Sequence, residues 1–285
     1  MKPAPFEYHA PKSLDEALAA LARVAPQDGR VLAGGQSLVP AMALRLALPP
    51  HLVDINGVQG LDRVSTEGGE LVIGACARHA AFEEPVVDGP LGALLARVVR
   101  HIAHYPIRTR GTFCGSLANA DPASEWCLAA VTLGATLVAR SVRGERRIAA
   151  HDFFQGAMTT ALAPDELLAQ ARLPLLPAGT RFGFREFSRR AGDFAIAMAL
   201  AAWRPDKNAM KDVRLGVGGV EASPRRIPEA ERLLEGKPAS PQAFAAAADA
   251  VAKAVAPLDD IRYPREYRRD LVRAMARRAL EESAR

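Results

Sequence analysis

Residues 31–55 read VLAGGQSLVPAMALRLALPPHLVDI. The short apolar run Val31-Leu32-Ala33 feeds straight into Gly34-Gly35-Gln36-Ser37, and after the Pro49-Pro50 break a second apolar run, Leu52-Val53-Asp54-Ile55, follows. Upstream, Ser13 stands three residues before Glu16, the spacing of a helix capping box, and Leu14, Ala17, Leu18 and Leu21 recur at helical intervals. Helix, strand, turn and strand in that order predict an α/β arrangement for the start of the chain. Paired glycines permit positive φ and let the main chain approach an anion closely, so successive N–H groups can form a nest. Alone, such a loop is equally a tight turn.

Outward from this stretch the alternation continues. An apolar strand is expected at 71–75 and a helix at 91–104, with Leu94, Leu95, Val98, Val99 and Ile102 as its stripe and Pro106 as its stop. A polar, glycine-bearing segment covers 108–122, a further helix 123–133, and strands 135–139 and 166–173 close the block. LPLLPAGT, residues 173–180, reads as a linker. Beyond it, strands are expected at 181–188, 195–203 and 213–220. Helices follow at 228–234 with Gly236 just past the end, at 241–255 after Ser240, and at 266–282. The fold class is α+β: a domain over 1–176, in lobes of about 1–57 and 58–176, then a small C-terminal domain over 177–285 of antiparallel sheet plus helices.

Composition narrows the function. With 285 residues, 49% of them hydrophobic, the chain can bury more than one core. Its net charge of +5, from 37 basic and 32 acidic residues, is small, and no aromatics interleave with the basic ones, so nucleic acid is not expected as a partner. Cys76, Cys114 and Cys127 lack the spacing of a zinc or iron–sulfur site. The six histidines form no ligand set by spacing, so no metal is expected. No signal peptide or bilayer-length apolar run is present, which predicts a cytoplasmic protein with no membrane span. No Lys-Ser or Lys-Thr follows the glycines, there is no GxSxG, and Gly216-Val217-Gly218-Gly219-Val220-Glu221 misses GxGxxG at its last position. That last segment reads instead as a strand with close backbone packing.

A second glycine-bearing loop, Gly111-Thr112-Phe113-Cys114-Gly115-Ser116, matches the first in character. Two such loops facing each other would suit a pyrophosphate. VLAGGQSLVPAMALRLALPPHLVDI and IRTRGTFCGSLANADPASEW (107–126) resemble the two FAD loops of the medium subunits of the xanthine dehydrogenase and aerobic carbon monoxide dehydrogenase family. FREFSRRAGDFAIAMALAAW (184–203) is similar to the opening of that family's C-terminal domain, and EYRRDLVRAMARRAL (266–280) to its terminal helix. The four matches fall in family order along nearly the whole chain.

The resemblance implies a two-lobed FAD-binding domain of the vanillyl-alcohol oxidase type, followed by the smaller C-terminal domain. It implies FAD as cofactor, a molybdenum–pterin large subunit and an iron–sulfur small subunit as partners, and a dimer of heterotrimers as the assembly. Pyrophosphate contacts are expected from Leu32, Ala33, Gly34, Gly35, Gln36, Ser37 and Leu38, and from Thr112, Cys114, Gly115 and Ser116. Asn119, Asp121 and Glu125 correspond to positions around the ribityl, ribose and adenine parts, while Ile102 and Leu168 correspond to apolar lining. Arg185 matches a basic position near flavin or phosphates, and Phe194 one that approaches the ring system. Taken without the resemblance, Asp121 and Glu125 read equally as helix-capping carboxylates, and Ile102, Leu168 and Phe194 as core. Two departures stand out: Cys114 where the family has glycine, with its thiol expected against the cofactor, and Ala77 where relatives carry a hydroxyl. No catalytic acid or base is expected. The rival readings are a free-standing flavin oxidase and a flavin-free scaffold.

Overall fold

The computed structural model describes residues 2–285. The first unit contains β1 (Glu7–His9), α1 (Leu14–Val24), β2 (Arg30–Leu32), α2 (Leu38–Ala43) and β3 (His51–Asp54). Its three strands are parallel in the order β1-β3-β2. Ser13 caps α1 by accepting from the Glu16 N–H at 3.2 Å, while the Glu16 carboxylate accepts from the Lys12 N–H at 2.8 Å. Such a cap is worth about 1 kcal/mol. The buried face of α1, Ala17, Leu18, Ala20, Leu21 and Val24, packs on Val53, Ile55, Val58 and Leu61.

The second unit holds β4 (Val64–Glu67), β5 (Glu70–Gly74), α3 (Pro90–Val98), α4 (Tyr105–Arg108), α5 (Phe113–Asn119), α6 (Glu125–Leu133), β6 (Thr136–Ser141), β7 (Gly144–Ala149), α7 (Ala150–Phe153), β8 (Phe154–Gly156), β9 (Thr159–Thr160) and β10 (Leu167–Pro174). Five of its strands form an antiparallel sheet, β4-β5-β10-β6-β7. Its core joins Leu71, Ile73, Leu94, Leu95, Phe113, Leu117, Trp126 and Leu128. Phe113 and Trp126 pack in a tilted arrangement with centroids 4.7 Å apart, and Phe82 meets Trp126 at 5.3 Å.

Two expectations change here. The helix expected over 91–104 ends earlier: α3 passes through a 3-10 turn at Val99–His101, and Ala103 takes φ 45°. Arg108 holds that bend by donating to the carbonyls of Ile102 and Ala103, each at 3.1 Å. Pro106 opens α4 instead of stopping a helix, in the first turn where a missing N–H is harmless. The polar segment 108–122 also contains a helix of its own, α5.

The third unit is an antiparallel sheet, β11 (Arg181–Phe187), β12 (Ala197–Asp206), β13 (Ala209–Gly218) and β14 (Arg225–Arg226), with α8 (Pro228–Leu234), α9 (Pro241–Ala254) and α10 (Arg265–Ser283). Gly236 takes φ 73° just past α8, and Ser240 caps α9 by accepting from the Ala243 N–H at 3.2 Å. The glycines of β13 are there for close packing, as the sequence suggested: a Cβ on Gly216 would strike Thr132 of α6. The arginines of α10 are not uniformly a solvated face. Arg268 is buried, donates to the carbonyls of Ile196 (3.2 Å) and Gly219 (2.8 Å), and pairs with Asp260 at 2.5 Å.

No helix among the described residues is long and apolar enough to cross a membrane. One grouping of possible metal ligands was invisible to spacing. Parallel pairing of β1 with β3 sets Glu7 opposite His51, placing Glu7 Oε2 at 3.3 Å and His9 Nε2 at 3.4 Å from His51 Nδ1.

Candidate functional site

The first glycine loop leaves β2 and enters α2. Gly35 takes φ 72°, a conformation glycine adopts without strain, and the Gln36 side chain donates to the Gly34 carbonyl at 3.1 Å. None of the N–H groups of Gly34, Gly35, Gln36, Ser37 and Leu38 finds an acceptor among the described residues. Main-chain donors left open in succession, on a half-exposed loop that runs into the first turn of α2, suit an anion.

The second loop is fixed to the strand-like segment 77–79. The His79 N–H donates to the Gly111 carbonyl (3.0 Å) and the Phe113 N–H to the Ala77 carbonyl (2.9 Å). Thr112 caps α5, its hydroxyl oxygen accepting from the Gly115 N–H at 3.1 Å. The N–H groups of Thr112 and Cys114 have no acceptor among the described residues.

The loops touch. A Cβ on Gly34 would collide with the Arg110 carbonyl and Gly111 Cα, and one on Gly111 would lie 2.5 Å from His79 Nε2. A clasp that sequence reading missed holds them together. Asn56 donates to the Ala33 carbonyl at 2.8 Å and accepts from Arg78 Nη2 at 2.6 Å, while Arg78 Nη1 donates to the Arg110 carbonyl. Below the clasp, His79 is buried and its Nδ1 accepts from Trp126 Nε1 at 3.0 Å. Burial, followed by the positive charges of Arg108 and Arg78, pushes the imidazole down to about 4.

Beside the loops lies a cavity of about 330 Å³, bordered by Ala33, Cys114, Gly115, Ala118, Met158 and Leu168 among others. Met158 had no signal in the sequence. Its N–H donates to the Ala120 carbonyl at 3.0 Å, and its sulfur accepts from Asn119 at 3.6 Å.

The chain as a whole is similar to known proteins. The profile of the FAD-binding domain in molybdopterin dehydrogenase matches residues 4–176, and that of the carbon monoxide dehydrogenase flavoprotein C-terminal domain matches 182–283. The chain belongs to the FAD-binding medium subunits of the molybdenum hydroxylases. It is 38% identical to the nicotine 6-hydroxylase medium subunit of Paenarthrobacter nicotinovorans, over 99% of each chain. It is 34% identical to the carbon monoxide dehydrogenase medium chain of Hydrogenophaga pseudoflava, over 98% of this chain and 97% of that one. Among solved structures, a chain of quinoline 2-oxidoreductase from Pseudomonas putida 86 superposes with a TM-score of 0.92 at 35% identity, covering 100% of this chain and 98% of that one. The medium subunit is thus an oxidoreductase component whose cofactor is FAD.

The residues present fit that cofactor. Unmatched N–H groups on two touching loops offer a pyrophosphate its donors, and glycines at the contact leave no room for side chains there. Ser116 is half-buried and its carbonyl accepts from Cys127 Sγ at 3.5 Å, which brings the start of α6 against the second loop. Asp121 closes a turn by accepting from the Ala123 N–H at 2.9 Å, leaving Ser124 to cap α6. Glu125 is buried in the first turn of that helix. Ile102 and Leu168 are both buried, and Leu168 also lines the cavity.

The two candidates from the C-terminal unit sit apart from the loops' hydrogen-bond network. Arg185 pairs with Glu282 at 2.9 Å, sharing it with Arg97. Phe194 is 72% exposed, in a segment whose Gly192 packs against the His104 ring.

Cys114 differs from expectation. Its thiol is buried in the core, 3.5 Å from the Ile73 carbonyl, and burial pushes its pKa far up. Ala77 is likewise core, and its contribution to the site is its carbonyl. Cys114→Gly is therefore expected to retain FAD while lowering stability by about 1–2 kcal/mol, through a small cavity and a glycine inside α5. Denaturant melts and flavin content of the purified variant check this. Cys114 should also resist thiol reagents with or without FAD, and rapid labelling in both states would place the thiol elsewhere.

Proposed function

We propose that this medium subunit relays electrons from iron–sulfur clusters of a small partner subunit, through FAD, to an external acceptor. The electrons originate at a molybdenum–pterin centre in a large subunit, and the assembly is a dimer of such three-subunit units. The observation that carries the reading is the pair of clasped loops, with seven main-chain N–H groups unmatched by the protein itself.

Bound FAD supplies the redox chemistry, accepting electrons singly or in pairs. The protein's part is positioning. N–H groups from Gly34 to Leu38, with those of Thr112 and Cys114, hold the pyrophosphate, and the hydroxyls of Thr112 and Ser116 add donors. Leu32 and Ala33 bring the chain to the loop, and Gly115 keeps its contact face free of a side chain. Asn119, Asp121 and Glu125 line the way along the cofactor, with Ile102 and Leu168 as apolar walls. Arg185 and Phe194 complete the site from the C-terminal unit.

Partner docking is supported by an apolar surface next to the first loop. Val39, Leu44, Leu46 and Leu48 are all at least half exposed around α2. Exposed apolar side chains grouped along one short segment suit an interaction site.

The test is reconstitution under anaerobic conditions from separately purified subunits. Flavin bleaching by the complex's substrate is expected only when all three subunits are present. Full-rate bleaching by this chain alone would replace the relay reading with that of a self-sufficient oxidase.

A further inference from the structure

Glu7, His9 and His51 converge on the parallel sheet of the first unit, at β1, the edge strand opposite the β2 edge that carries the first glycine loop. Glu7 and His9 are two residues apart on β1 and so share a face, and the parallel register sets His51 of β3 beside Glu7. His51 Nδ1 is the meeting point: Glu7 Oε2 lies 3.3 Å from it and His9 Nε2 3.4 Å. Among the described residues, no other three His, Cys, Asp or Glu side chains bring one ligand atom each this close together. The His51 side chain is only 13% exposed and that of Glu7 73%, so the gap between the three opens to solvent on the carboxylate's side.

Hydrogen bonding accounts poorly for this arrangement. Nδ1 of a neutral imidazole offers either one hydrogen or one lone pair, so it can fully serve only one of its two neighbours. Both separations also exceed the usual reach of an N–H donor, about 2.7–3.2 Å. A tetrahedral zinc ion accounts for them better. With bonds of about 2.0–2.1 Å to imidazole nitrogen and carboxylate oxygen, neighbouring ligand atoms stand about 3.3–3.4 Å apart. Two imidazoles and one carboxylate suit a borderline divalent ion such as zinc and disfavour magnesium and calcium, which take oxygen ligands.

The backbone holds these donors in place without the ion. Glu7 with His51, Tyr8 with Leu52 and His9 with Val53 fix β1 on β3, and the Glu7 N–H donates to the Pro50 carbonyl at 2.8 Å. The hydroxyl of Tyr8, the residue between the two β1 donors, donates to Asp54. Little chain ordering is therefore left for the ion to impose.

We propose that Glu7, His9 and His51 form a zinc site, its fourth position left to water, that fastens the N-terminal strand to β3. The site draws on no residue assigned to the cofactor and is independent of the electron-relay reading.

The experiment titrates tag-free, metal-stripped full-length protein with zinc chloride by calorimetry and records visible spectra with cobalt(II) in place of zinc. One zinc per chain is expected, with a melting temperature raised by a few degrees at saturating zinc. Cobalt is expected to show the intense visible bands of a tetrahedral site, which the aqueous ion lacks. His9→Gln and His51→Gln should each weaken zinc binding by more than the roughly ten- to hundredfold that loss of an outer-shell partner costs. Both should keep the flavin content of the wild type, which reports that they fold. Absence of saturable one-to-one binding, equal zinc affinity in the wild type and His51→Gln, or cobalt that stays six-coordinate as in water would overturn the site. The cobalt spectrum needs only the wild type, so a misfolded variant does not protect the proposal. None of these outcomes touches FAD binding, and the relay function would stand or fall by its own test.

Discussion

Gly35→Asp should yield a folded protein that purifies without FAD. Gly35 sits at φ 72°, within the run of unmatched N–H groups, and a Cβ there would meet Leu32 Cδ1 and Val39 Cγ2 at 3.2 Å. Strain alone is modest, since a left-handed conformation costs a non-glycine residue about 1–2 kcal/mol. The larger effect is electrostatic. A carboxylate about 4 Å from a phosphate oxygen, at an effective dielectric of about 20, costs about 4 kcal/mol, which weakens binding on the order of a thousandfold. Gly35→Ala separates the two effects, because it carries the strain without the charge and should keep much of its flavin. Absorbance ratios of the purified proteins, with thermal melts to confirm folding, provide the measurement. Normal flavin content in the Asp variant would remove the first loop from the phosphate site.

Acid should unfold the second loop's support through His79. In the unfolded chain this imidazole takes up a proton near its ordinary value of 6.5; in the folded protein it does so only near 4. The depressed value means that the stabilising difference is present in full above 6.5 and is lost as pH falls towards 4. The gap corresponds to about 3 kcal/mol. Protonation would also put a hydrogen on the Nδ1 that now accepts from Trp126, against a ring that leaves Gly111 no room to move. Urea midpoints measured from neutral to mildly acid pH should drop steeply for the wild type and less so for His79→Gln. Equal slopes in the two proteins would show that another group controls acid unfolding.

What the sequence made legible follows from locality. Ser13, Ser240 and Gly236 act within one helical turn, so the capping rules located α1, α8 and α9. The glycine loops were readable because adjacent glycines have few other uses. By contrast, α5 hid inside a polar segment: its stability comes from the Thr112 cap and the burial of Phe113 and Leu117 against elements far away in sequence. The Asn56–Arg78 clasp spans two units and has no spacing signature. The same is true of His9 with His51, which only strand register brings together. Cys114 was readable as a departure, yet the direction of its side chain was not.

The chain has two tryptophans, and they occupy unlike surroundings. Trp203 donates to Ser283 at 2.8 Å inside the C-terminal unit. Trp126 lies fully buried against Phe113, the residue between Thr112 and Cys114 of the second loop. Oxidised flavin absorbs where indole emits, so excitation of Trp126 should drain into bound FAD by resonance transfer. The ultraviolet emission of the protein then becomes a label-free gauge of how many chains carry their cofactor, with Trp126 the more responsive of the two emitters.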